Sequence, residues 1–183
     1  MWNPFARKYS SQDKKLMDFL RKMLIFSCLT DEELMVFLPN LYLRNYSKDE
    51  VVFFRNDPSQ ALYMVKSGQI RLDLDVGERF EELGKVTKGE FFGENCLVNG
   101  TNRLYNAICC DAVTELYILP LANILEIFEE YPRIKSKIYE MMSQNQQEYI
   151  QNIFNAYRDS FGIFELSHSY FKGENRNNKD IIE

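Results

Sequence analysis

The sequence predicts a mainly β domain, a sandwich or barrel of about eight strands, with helices before and after it. Three observations support this. Turn-like clusters recur at Ser47-Lys48-Asp49, Asn56-Asp57-Pro58, Ser67-Gly68, Val76-Gly77-Glu78, Thr87-Lys88-Gly89, Asn99-Gly100 and Asp111. Their spacing is the roughly 8 to 12 residues expected between strands of such a fold. The runs between them have strand character, and outside Leu41 to Leu119 the apolar residues fall at helical intervals instead.

From Ser11 to Leu38 the chain reads as helices, with Leu16, Phe19, Leu20, Met23 and Leu24 on one face. After a break at Ser27-Cys28-Leu29, Thr30 is an N-cap with Glu33 three residues on, and Leu34, Phe37 and Leu38 continue a short helix that Pro39 ends. Among the strands, Val51–Phe54 and Leu62–Val65 are short continuous apolar runs, the pattern of strands covered on both faces. Gln69–Asp75 alternates apolar and charged residues, as a half-buried strand does, and Thr114–Leu119 is apolar and β-favouring.

Helices return at Leu121–Tyr131, which carries Leu121, Ile124, Leu125 and Phe128 on one face. Pro132 suits the start of the next, predicted over residues 133–158 with Ile134, Ile138, Met141, Met142, Ile150, Ile153, Phe154 and Tyr157 at helical intervals. Its middle, Ser143 to Glu148, is polar. A long apolar stripe of this kind serves either its own domain or a second copy of the chain. The expected organisation is an N-terminal helical segment (1–40), the β domain (41–120), C-terminal helices (121–160) and a partly disordered tail (161–183), apolar at Phe161 to Phe164 and polar from Lys172 to Lys179.

Bulk properties narrow the function. With 183 residues and 45% hydrophobic content the chain can bury a real core. A net charge of −5 argues against a general nucleic-acid binder, because affinity for phosphate backbones comes from clustered Lys and Arg. No apolar run reaches the roughly 20 residues of a membrane span, and Met1-Trp2-Asn3-Pro4-Phe5 lacks a signal peptide's layout, so a cytoplasmic address and no membrane partner are expected. Cys28, Cys96, Cys109 and Cys110 have no CxxC spacing and read as buried reduced thiols. His168, the one histidine, lies in the tail. A metal-dependent barrel enzyme needs several converging ligands, and a nucleophilic Ser or Cys needs a base, so no enzyme activity and no metal or cofactor are expected.

The stretch with most chemistry is Gly89 to Ala107, Gly89-Glu90-Phe91-Phe92-Gly93-Glu94 followed by a short helix-capable segment and Arg103. Two aromatics anchor it in the core. Gly93 permits close backbone approach to a ligand, the following amides suit an anion, Glu94 offers an acceptor for a hydroxyl, and Arg103 a fork of donors for a phosphate. Without a ligand, Glu94 and Arg103 would be expected to pair with each other.

The chain resembles the cyclic-nucleotide-binding domain family over roughly Leu24 to Met142. The resemblance rests on Leu29-Thr30-Asp31-Glu32-Glu33-Leu34, Asp57-Pro58-Ser59-Gln60-Ala61-Leu62-Tyr63, Ser67-Gly68-Gln69-Ile70 and Gly89-Glu90-Phe91-Phe92-Gly93-Glu94, in that order. It implies an eight-stranded antiparallel jelly roll or β-roll with N-terminal helices and two C-terminal helices. It also implies a phosphate-binding cassette in which Glu94, after Gly93, accepts from a ribose 2′-hydroxyl and Arg103 pairs with the cyclic phosphate of cAMP or cGMP. The next residues, where a phosphate meets backbone amides, are Leu104 and Tyr105; they are bulkier than the small or hydroxyl-bearing residues usual there, and Asn95-Cys96 is also atypical. Two functions follow as expectations: a cytoplasmic, non-enzymatic sensor that passes a ligand signal to its C-terminal helices, with a homodimer through the 133–158 helix, or an interaction domain of the same fold whose cassette Leu104 and Tyr105 close.

Overall fold

The computed structural model describes residues 9–76 and 79–161. The chain begins with helix α1 (Ser11–Arg21), whose N-cap Ser10 and third residue Asp13 exchange side-chain-to-backbone hydrogen bonds. Helix α2 (Asp31–Met35) starts with the same reciprocal device, Thr30 with Glu33, so the N-cap read from the sequence is present. A 3-10 turn over Leu38–Asn40, with Pro39 inside it, leads into the sheet.

Eight strands follow: β1 (Tyr42–Ser47), β2 (Val51–Phe53), β3 (Ala61–Ser67), β4 (Gln69–Val76), β5 (Arg79–Thr87), β6 (Phe91–Phe92), β7 (Asn106–Cys109) and β8 (Val113–Pro120). They form two four-stranded antiparallel sheets, ordered β1-β8-β3-β6 and β2-β7-β4-β5. Two helices close the described chain, α3 (Leu121–Glu130) and α4 (Pro132–Phe161). The eight-stranded roll with helices at both ends is therefore the architecture, as the sequence predicts.

Apolar residues from both sheets make one cluster, including Phe53, Val65, Ile70, Phe92, Ala107 and Leu116. A second joins the helices to the roll: Leu20, Phe26, Leu34 and Phe37 on the N-terminal side meet Leu62, Leu97 and Leu119, and then Ile124, Phe128 and Ile138 of α3 and α4. The Glu33 carboxylate accepts from Lys137 Nζ at 2.7 and 2.8 Å, tying α2 to α4.

Two expectations change. In Val51–Phe54 only Phe53 is buried, and Phe54 is 58% exposed, because β2 is an edge strand paired with β7 alone and interrupted by a bulge. Cys28 is exposed and Cys110 half-buried, while Cys96 and Cys109 are buried; all four thiols are free. Strand β5 carries no period-2 signature because it too is an edge: Phe80 and Leu83 face solvent among Arg79, Glu81, Glu82 and Lys85, and a bulge interrupts its pairing with β4. Charge and a bulge are means of keeping an edge from pairing with other chains.

By contacts the chain divides into two units, at Met142. The first holds the roll, α1 to α3 and the start of α4. Within the second, the α4 residues Tyr149, Ile150 and Ile153 are exposed. No described helix is long and apolar enough to cross a membrane. The tail from residue 162 on, His168 and the turn residue Gly77 lie outside the described residues.

Phe37 is fully buried and meets Phe26 edge-on at 5.2 Å between ring centres. Phe37→Ala is expected to destabilise the domain by about 3–5 kcal/mol, read as a lower urea midpoint; an unchanged midpoint would show that the helical cluster does not support the roll.

Candidate functional site

Strand β6 is short because its two phenylalanines only have to pair with Tyr63 and Met64 of β3 before the chain turns. Gly93 makes the turn with φ +77°, and a Cβ there would lie 2.5 Å from Arg103 Nη1. Any other residue would meet both the strain of that φ and this contact. A 3-10 turn, Glu94–Leu97, follows directly.

The return segment is strapped to the loop before β3. Ser59 N–H donates to the Thr101 carbonyl at 3.1 Å, Arg103 N–H to the Asp57 carbonyl at 2.8 Å, and Asn56 N–H to the Arg103 carbonyl at 2.9 Å. Asn95 stands at the centre: its amide donates to the Asn102 carbonyl at 2.7 Å, its side-chain oxygen accepts from Ser59 Oγ at 3.0 Å, and its backbone carbonyl accepts from Thr101 Oγ1 at 2.6 Å. The asparagine that looks atypical in the sequence is thus the clamp of this turn.

Arg103 is only 3% exposed. Its Nη1 donates to the Gly93 carbonyl at 2.9 Å and its Nη2 to the Ala61 carbonyl at 2.7 Å. The guanidinium carbon lies 4.2 Å from the centre of the Phe53 ring and 5.3 Å from that of Tyr63, within cation–π range of both. Those rings continue a cluster in which Tyr63 stacks on Phe92 at 5.2 Å and Phe53 meets Tyr105 at 5.8 Å. Arg103 Nε is buried and finds no acceptor. No carboxylate of the described residues lies within 4 Å of this cation; in particular Glu94 does not pair with it.

Glu94 is partly buried, and desolvation pushes its carboxyl above the usual carboxylate range, opposed by hydrogen bonds from backbone amides and by the positive charge of Arg103. Cys96, two residues on, is pushed up to about 12 by burial and stays a neutral thiol. Tyr105 turns inward, where its hydroxyl accepts from Gly93 N–H at 3.1 Å. Leu104 is 64% exposed, so its bulk is directed to solvent.

Gly93, Arg103 and Tyr105 therefore meet through direct hydrogen bonds, Glu94 adjoins them through Gly93, and Leu104 stands apart. Sequence reasoning missed Phe53, Tyr63 and Ala61. The first two read as core residues, which they also are; Ala61 contributes only a carbonyl, for which no side-chain signal exists. The arrangement presents a buried cation, with one nitrogen, Nε, left without an acceptor, beside a carboxyl and the turn at Gly93, all within the β-roll.

Comparison with known proteins identifies the class more closely. Residues 43–131 match the family model described as the cyclic nucleotide-binding domain. The chain is similar to the Cyclic AMP receptor protein of Thermus thermophilus, with 28% identity over 125 residues, covering 68% of this chain and 57% of that protein. Its fold superimposes on the Catabolite Activator Protein of Thermus thermophilus with a TM-score of 0.62 at 26% identity, covering 73% of this chain and 62% of that one. It also superimposes on the regulatory domain of Toxoplasma gondii PKA, solved with cAMP, with a TM-score of 0.60 at 20% identity, covering 66% of this chain and 46% of that one. The chain thus spans less than two thirds of each of these relatives. Residues 43–131 belong to the cyclic nucleotide-binding domain family, with the β-roll of the catabolite-regulator type.

The Glu94 shift has a sign that can be measured. A carboxyl raised on folding favours the folded state most below the unfolded carboxyl value, about 4.3, and that contribution is lost as pH rises through the folded value. Glu94→Gln, which imitates the neutral acid, is expected to raise the melting temperature at neutral pH and to leave it nearly unchanged in acid. Equal effects at both ends of the range would show that Glu94 titrates normally.

Proposed function

We propose that this chain is a non-enzymatic regulatory module that binds a cyclic nucleotide, cAMP or cGMP, or a related phosphorylated small molecule, at Gly93, Glu94 and Arg103. The observation that carries this reading is the Arg103 guanidinium, buried and, among the described residues, without a carboxylate partner and with Nε unsatisfied. Buried charges are normally paired, because taking an ion out of water costs several kcal/mol, and a phosphate is a counter-ion that a guanidinium suits once its Nη groups give up the Gly93 and Ala61 carbonyls. Glu94 then serves as acceptor for a sugar hydroxyl. Four free thiols agree with a reducing, cytoplasmic setting.

The signal leaves through the 3-10 turn after Gly93. Tyr139 of α4 donates its hydroxyl to the Leu97 carbonyl at 2.7 Å, and its ring meets Phe128 of α3 at 5.8 Å. A ligand that prefers one position of that turn therefore biases α3 and α4, and equal affinity for two positions would shift nothing. The exposed Tyr149, Ile150 and Ile153 give the later part of α4 an apolar surface for a second copy of the chain.

One observation favours a second reading, an interaction domain with a closed cassette: the Tyr105 hydroxyl already takes the Gly93 amide. Thermal melting with cAMP, cGMP and cyclic dinucleotides separates the two. At about 100 times its dissociation constant a ligand adds roughly 2.7 kcal/mol, which for this size is an upward shift on the order of 5 to 10 °C. Arg103→Lys, which keeps the charge and loses the fork, is expected to lower the melting temperature without ligand and to abolish most of the ligand-induced shift, read against its own unliganded baseline. No shift at millimolar ligand would leave the closed-cassette reading standing.

Coupling is tested by sedimentation with and without the stabilising ligand. Self-association is expected to change on binding, and Tyr139→Phe to keep the melting shift while losing that change. A monomer under every condition removes the α4 dimer from the reading.

A further inference from the structure

A trough with a volume of 450 Å³ runs along α1, lined on one side by Gln12, Lys15, Leu16 and Phe19 and on the other by Lys66, Lys88 and Tyr117. None of these residues belongs to the cassette. Positions 12, 15, 16 and 19 are one face of a helix, so α1 presents a continuous wall to the ends of β3 and β8. The volume falls within the range of small-molecule sites, about 300–1,000 Å³.

Its chemistry is uneven in an informative way. Phe19 and Tyr117 meet at 5.3 Å between ring centres and, with Leu16, make an apolar lining, while three lysines surround it. The one acid there, Glu115, is already engaged: Lys66 Nζ donates to one of its oxygens at 3.0 Å and Ser67 Oγ to the other at 2.9 Å. Lys15 and Lys88 make no ion pair with any described residue. A chain of net charge −5 thus gathers two cations without an ion pair among the described residues beside half-buried ring surface.

We propose that this trough is a second ligand site, separate from the cassette, for a small organic anion with a planar apolar body. The ring portion lies along Leu16, Phe19 and Tyr117, and the anionic group lies between Lys15 and Lys88. A neutral aromatic compound gains only the first contact and inorganic phosphate only the second, so the site selects for both in one molecule.

The test uses 1-naphthyl phosphate titrated into the full chain and followed by amide NMR shifts. Saturable movement at Lys15, Phe19, Lys66 and Tyr117 in the millimolar range is expected, with 1-naphthol and inorganic phosphate each binding more weakly. Lys15 and Lys88 are exposed, so the double variant Lys15→Glu/Lys88→Glu should keep its spectrum elsewhere, and its affinity for the probe should fall at least about tenfold, or 1.4 kcal/mol. Arg103→Lys should leave the titration unchanged, which separates this site from the cassette. Shifts confined to residues 93–105, no movement at millimolar probe, or undiminished affinity in the double variant would each overturn the proposal.

Discussion

The first half of the roll and its return segment are held together around one buried cation. Arg103 lies between the carbonyls of Gly93 and Ala61 and against the faces of Phe53 and Tyr63, which come from different sheets. Each partner needs a particular backbone. Gly93 exposes its carbonyl because a left-handed turn ends β6, Ala61 because β3 begins there, and Phe53 reaches inward because a bulge reorients the edge strand β2. Carbonyl dipoles and ring faces soften the cost of burying the charge but do not neutralise it. The domain therefore carries an unsatisfied electrostatic demand at its centre.

That cation sits beside the turn that follows Gly93. The 3-10 turn from Glu94 to Leu97 follows directly on Gly93, which accepts from Arg103, and ends at the residue that accepts from Tyr139. Cys96 and Leu97 belong to the same apolar cluster as Ile124, Phe128 and Ile138, whereas Phe92, just before Gly93, belongs to the cluster between the sheets. The turn is thus, with β3 and β8, one of the covalent bridges between the two cores. A shift of about an ångström in its position has to be accommodated by α3 and α4, because close-packed interiors pass displacement on.

The fold was legible because its signals are local. Turn residues at regular spacing, the Thr30 capping box and the helical stripe after Pro132 each depend on neighbours in sequence. What escaped was set by position in the sheets: Val51, Val52 and Phe54 have the composition of a covered strand, yet β2 is an edge, and β5 hides its strand character for the same reason. At the site, Gly93, Glu94 and Arg103 could be read from spacing, since a turn glycine, an acid and a cation are distinctive types. The ion pair expected between Glu94 and Arg103 does not form, because the fork of Arg103 is committed to two carbonyls and carbonyls leave no trace in a sequence. The same holds for Asn95, whose clamp depends on Ser59, Thr101 and Asn102 meeting across the turn.

Of the two bulky residues after Arg103, only Tyr105 bears on the cassette, since Leu104 faces solvent. The two hydrogen bonds in competition have different strengths. The one from Gly93 N–H to the Tyr105 hydroxyl joins neutral groups and contributes a net of about 0.5–1.5 kcal/mol, while a hydrogen bond to a charged group contributes about 1.5–3 kcal/mol. Under the proposed function, a phosphate that engaged Arg103 as well as this amide would outweigh the tyrosine even after displacing it. On these magnitudes Tyr105 would lower the affinity of the proposed ligand by up to about tenfold. Tyr105 also gives the Gly93 amide a defined partner, so a residue that departs from the family's pattern is built into the turn itself.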